Sequence, residues 1–160
     1  MAKDFDKKDR DELAKKLQVT QSECEQFNQF YDNVILPRIK KKYLSALLSV
    51  VEDLIDMKIR DDVRNEFYNN KSEKEAGPII LRRYSIVLSD RLPCKNARAY
   101  TVSFSQGAII AYDPRYSEKD ICFSIARELG NLLIRYGIIP GAPHTENLAS
   151  FFAHFTSDGV

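Results

Sequence analysis

Three side chains able to do chemistry stand together at Arg127, Glu128 and Asn131. On a helix, Arg127 and Asn131 are i and i+4 neighbours with Glu128 beside them. That is the spacing of a metal-binding helix in which two His bracket a Glu acting as general base. Here the first ligand position holds a guanidinium, which stays protonated and has no lone pair to give. The second holds an amide, a poor substitute for the Cys, His and carboxylate groups that zinc takes. Glu128 keeps the place of the base, yet without a metal-bound water it has no activated nucleophile to serve. The remaining candidates, His144, Glu146 and His154, all lie near the C-terminus. A rebuilt metal site from Glu128, His144 and Glu146 would draw on a loop and two helices. The plainer reading puts both His on the surface.

The element that must hold these groups is well marked. Ser117 followed by Asp120 resembles a capping box. Ile121, Ile125, Leu129, Leu132 and Leu133 keep one face apolar, and Gly137 supplies the left-handed residue that ends such a helix.

The run from Phe123 to Leu133, with Ala126-Arg127-Glu128-Leu129-Gly130-Asn131 at its centre, resembles the active helix of ImmA/IrrE-type zinc metallopeptidases. That helix reads F-T-x-A-H-E-L-G-H-x-L. Glu146-Asn147-Leu148-Ala149-Ser150-Phe151-Phe152-Ala153 resembles the family's second motif, E-x-x-A-N-x-F-A. The resemblance spans residues 78–155. It implies a zincin-like fold, zinc at positions Arg127, Asn131 and Glu146, and Glu128 as general base. Both His of the family's pair are replaced, so the expectation is a pseudo-peptidase that has lost zinc, with no catalytic residue and no cofactor. Such a domain would bind another protein in the ancestral substrate cleft, in the regulation of bacteria or of phage and mobile elements. Removing zinc leaves Glu128 and Glu146 facing one cavity, which raises one pKa or drives the helices apart. An Arg127–Glu146 ion pair would replace the metal, with Asn131 bonding nearby; Arg127 in solvent and Glu146 capping the last helix is an equal alternative. A metal-dependent hydrolase with a remodelled site is the rival reading.

Composition sets the outer bounds. The 160 residues are 44% hydrophobic and 29% charged, and the net charge is +1. That describes a globular chain with a core, without the basic excess that calls for nucleic acid or an anionic membrane. Cys24, Cys94 and Cys122 are odd in number and lack metal spacing, which favours reduced thiols in the cytoplasm. Residues 1–11 are too charged for a signal peptide, and the apolar run 43–51 is too short to cross a bilayer.

In chain order, residues 6–17 form a charged helix. Thr20-Gln21-Ser22-Glu23 is a capping box, with Val19 and Cys24 as its hydrophobic staple, for a second helix reaching about Val34. The pair faintly resembles a DNA-binding helix-turn-helix, a further alternative function. Against it, Gln18 holds the turn position usually given to Gly, and the second helix carries Glu23 and Glu25 with no Lys or Arg before Tyr31. A helical hairpin over 1–36 is the better reading.

From Pro37, a stripe through Ile39, Tyr43, Leu44, Leu47, Leu48, Val51, Leu54, Ile55 and Ile59 predicts a long core helix. Its basic start, Arg38 and Lys40 to Lys42, reads as a solvated face. Residues 69–77 read as a loop closing the 37–77 segment. Strands are expected over 79–88, 100–104 and 108–112, the last two joined by a hairpin at Ser105-Gln106-Gly107. Tyr84, Tyr100, Tyr112 and Tyr116 are expected to pack on the sheet, and Cys122 to be a small buried hydrophobe. The whole is α+β and a single domain: N-terminal helices, a small antiparallel sheet, and over 78–160 the sheet with the active-site helix and a C-terminal helix.

Overall fold

The computed structural model describes residues 7–35, 37, 44–68, 82–91, 97–139 and 149–154. The elements are α1 (Lys7–Lys16), α2 (Gln21–Phe30) with a π-helical turn over Tyr31–Ile35, α3 (Leu44–Tyr68), β1 (Ser85–Ser89), β2 (Ala99–Phe104), β3 (Gly107–Tyr112), α4 (Glu118–Arg135) and α5 (residues 149–154). The class is α+β. No described helix is long and apolar enough to cross a membrane. The expected basic cluster at 38–42, the 69–77 loop and the strand start at 79–81 lie outside the described residues.

Capping chemistry sets the helix ends. Thr20 Oγ1 accepts from the Glu23 N–H at 3.2 Å, and Glu23 Oε1 accepts from the Thr20 N–H at 3.1 Å, completing the box that starts α2. Ser117 Oγ accepts from the Asp120 N–H at 3.2 Å and starts α4. At the far end, Gly137 takes φ +73°, and the N–H groups of Gly137 and Ile138 donate to Ile134 O and Leu133 O. This doubly bonded closure satisfies carbonyls the helix would otherwise leave open. The α1–α2 turn uses the same geometry with a residue that suits it less. Gln18 sits at φ +59°, with Gln18 N–H to Lys15 O and Val19 N–H to Ala14 O. A Gln in the position usually given to Gly thus accommodates the turn between the two expected helices.

The core runs between the two ends of the chain. Phe27 of α2 packs on Phe151 and Phe152 of α5, with ring centroids 5.1 and 6.0 Å apart, and all three are buried. Gly130 on α4 lets α5 come this close. A β-carbon there would lie 2.9 Å from a Phe152 ring carbon and 3.3 Å from the Ala149 α-carbon. Leu47, Val50, Val51, Leu54 and Ile55 of α3 complete the apolar interior.

The sheet corrects the antiparallel meander expected from sequence. Its order is β1-β3-β2, and β1 runs parallel to β3 while β2 and β3 form the expected hairpin. The period of a strand does not encode its neighbour; here the position of α3 does. Glu52 Oε2 accepts from the Ile86 N–H, and Asp56 Oδ1 from the Tyr84 N–H, each at 2.9 Å. The Ser85 N–H, one residue along, donates to Gln106 O on the sheet side. One i to i+4 step advances about 6 Å along a helix, and two strand residues advance about 6.6 Å, so two carboxylates on α3 match two outward N–H groups on β1. Arg83 pairs with Asp53 between them. Two outward N–H groups at the start of β1 are thus taken by α3.

Two outcomes are expected. Gly130→Val should destabilise the fold by about 2 kcal/mol or more, because α4 and α5 cannot part without opening the aromatic core. A urea midpoint unchanged by the substitution would refute that. Asp56→Ala strands the buried Tyr84 N–H and should cost about 1–3 kcal/mol. Burial pulls the Asp56 carboxyl upward, but the Tyr84 N–H and Arg60 outweigh it and hold it below the usual range. A lowered folded pKa means this contribution is present above the unfolded value, about 3.9, and is lost as pH falls through the folded one. Acid unfolding should therefore be less steep for Asp56→Asn than for the parent, as read by circular dichroism during titration.

Candidate functional site

Helix α4 runs alongside β2 in the same direction, with Thr101 against Glu128 and Ser103 against Arg135. Between them lies a cleft of about 370 Å³, walled by residues 97–99 on the strand side and by Phe123, Ser124, Arg127 and Glu128 on the helix side. The sequence-predicted residues Arg127 and Glu128 are thus brought to one site. Asn131, one turn on and half-buried, is not part of that wall. Glu146 and His144 lie outside the described residues, and with them the expected Arg127–Glu146 ion pair.

Inside the cleft, Thr101 donates its hydroxyl to Glu128 Oε2 at 2.7 Å. Both side chains are half-buried, so the bond fixes the direction of the carboxylate. Arg98 stacks over the Tyr116 ring, 4.6 Å from its centroid. The rim beside Arg98 is tied by the Asp113 N–H, which donates to Arg98 O at 2.9 Å. Asp113 accepts the Arg115 guanidinium and the Arg115 N–H, and those bonds hold its carboxyl near a pKa of about 2. The charged side chains on the helix wall of the cleft are therefore Arg127 and Glu128, while the Arg98 guanidinium is stacked on Tyr116.

Zinc, which the family resemblance implies, does not fit the donor set on α4. Arg127 offers no lone pair and Asn131 only an amide oxygen. Among the described residues no three His, Cys, Asp or Glu side chains cluster closely enough to hold a metal ion. His154, expected on the surface, is half-buried with its ring 4.8 Å from that of Phe123, edge to face. Cys122 is half-buried, and burial pushes its thiol pKa up, away from a reactive thiolate.

Sequence reasoning missed Thr101, Arg98 and the open edge of β2. The register places Arg98 opposite Asp113, the pair that bonds across the hairpin. Antiparallel pairing alternates, so Tyr100, Val102 and Phe104 also turn their backbone groups to β3. Ala99, Thr101 and Ser103 turn theirs outward, and among the described residues no backbone hydrogen bond takes them. The signal was the alternation itself, but the faces are reversed from the usual order. Thr101 faces α4, while Tyr100, Val102 and Phe104 are 50%, 39% and 53% exposed on the opposite face. Tyr100 and Tyr116 are thus exposed, against the expectation that both pack on the sheet; Tyr84 is buried.

Thr101→Val keeps the shape and removes the donor. It should lower stability by about 1–2 kcal/mol, the worth of a hydrogen bond to a charged acceptor at a half-buried site. A double-mutant cycle with Glu128→Gln should show the two changes to be non-additive; strictly additive costs would mean the bond is not formed. In comparison with known proteins, no family model, no curated protein and no solved structure matches this chain.

Proposed function

We propose that this chain is a metal-free, catalytically inactive relative of the ImmA/IrrE-type peptidases that binds a segment of another protein along β2, over Arg127 and Glu128. The observation that carries the reading is the contrast between the two sheet edges. At β1 the outward N–H groups of Tyr84 and Ile86 end on carboxylates of α3. At β2, an uncharged six-residue strand without Pro beside a cleft, no backbone hydrogen bond among the described residues takes the outward groups. Natural sheets blunt their edges with charges, Pro or covering elements, and a bare edge takes up a strand by main-chain pairing. The second support is chemical. Arg127 and Asn131 cannot serve zinc, and Glu128 is bonded to Thr101. A regulatory role in the cytoplasm accords with free thiols at Cys24 and Cys122. For DNA, α2 offers Glu23 and Glu25 and no cation, which disfavours the major groove.

Protein purified without chelators should contain no stoichiometric zinc and should leave unfolded protein substrates intact. One equivalent of zinc that disappears with Glu146→Gln or His144→Ala would replace this reading by the remodelled hydrolase. Peptides selected from a random displayed library should protect the amides of Ala99, Thr101 and Ser103 from hydrogen exchange. Ser103→Pro removes one outward N–H without touching the β3 ladder and should abolish that capture.

A further inference from the structure

Resting on the strand-addition reading, we infer that the segment taken by β2 alternates acidic and large apolar side chains. A strand added at this edge lies about 4.8 Å from β2, and its side chains fall alternately on the two faces that β2 itself presents. The faces differ sharply in chemistry. On the helix side the incoming residues meet the cleft, where Arg127 stands beside Glu128. One oxygen of that carboxylate is already bonded to Thr101. Further along the same side, Arg135 is exposed and donates to Ser103 Oγ. A guanidinium fork accepts a carboxylate with two parallel bonds, which favours Glu or Asp on this face and rejects Lys or Arg.

The opposite face is apolar and uncovered. Tyr100, Val102 and Phe104 stand in a row at the edge. Their partners across the hairpin are Ala111, Ile109 and Gly107, two of them too small to shield the rings. Val87, opposite Ile109 on β1, is 56% exposed and extends the patch. Side chains of an added strand would stand beside Tyr100, Val102 and Phe104, where aromatic and β-branched cross-strand pairs are favourable. The charge distribution also disfavours a second copy of the chain as occupant. Two-fold pairing of β2 with itself would bring the Arg98, Arg127 and Arg135 groups of both copies to one seam. An acidic partner removes that repulsion.

The test uses the full chain and fluorescein-labelled nine-residue peptides, read by fluorescence anisotropy at low and at physiological salt. An alternating Glu–Val peptide should bind. Replacing its Glu by Lys, or its Val by Ser, should each weaken binding by about tenfold or more, with only the Glu contribution declining as salt rises. Arg127→Glu should erase the preference for Glu over Lys while leaving the Val dependence. Equal binding of the Glu and Lys peptides would overturn the acidic pattern yet keep strand addition, provided the amides of Ala99, Thr101 and Ser103 are still protected. Failure of these peptides and of the random library alike would overturn both. A concentration-dependent dimer that protects the same amides and excludes the peptides would assign the edge to a second copy.

Discussion

The close approach of α5 to α4 at Gly130 is the contact on which the rest of the molecule depends. With no β-carbon in the way, Phe152 and the Ala149 backbone settle against the helix that carries the candidate site. That places Phe151 and Phe152 on Phe27, and so fastens the N-terminal hairpin to the C-terminal helix through one aromatic cluster. Gly inside a helix costs about 1 kcal/mol relative to Ala. The burial of two Phe side chains, worth about 1.5–3 kcal/mol each, outweighs it. Opposite faces of α4 then divide the labour. Ile125, Ala126, Leu129, Leu132 and Leu133 are buried in the core, while Arg127 and Glu128 are held at the edge of the sheet.

The second organising feature is the unequal treatment of the sheet edges. Closing β1 needs acids at i and i+4 on a helix whose other residues are core, and α3 supplies them with Glu52 and Asp56 interleaved among Val51, Leu54 and Ile55. The acids are half-buried and each accepts a backbone N–H, so an intruding strand would have to displace charge-assisted hydrogen bonds there. Among the described residues β2 has no such guard. Thr101 and Ser103 spend their hydroxyls on α4 and leave their backbone groups outward. The side chains that might have shielded the strand are instead recruited to orient Glu128 and Arg135.

How much of this the sequence disclosed follows from what periodicity can carry. Helices were legible because their caps and stripes are local. Thr20 and Glu23, Ser117 and Gly137 stand where expected, and α3 follows its apolar stripe. The hairpin of β2 and β3 was legible for the same reason. The place of β1 was not, since it depends on carboxylates 28 and 34 positions away in chain order. Alternation in Tyr100 to Phe104 announced a two-faced strand but not which face would be covered, and here the polar one is. Arg127 and Glu128 were found as a pair from helical spacing, whereas Thr101 gives no sign in sequence that its hydroxyl completes their site.

What the cleft can do follows from the groups that cannot change state. A guanidinium does not give up its proton at any pH a protein survives, so Arg127 offers the cleft fixed charge and shaped donors. Glu128 could move a proton, but its carboxylate is oriented by Thr101, and the positions that would set a nucleophile beside it hold Arg127 and Asn131. Fixed donors beside an open strand are suited to recognition. Main-chain pairing supplies affinity without regard to sequence, and the faces on either side of the strand supply selection.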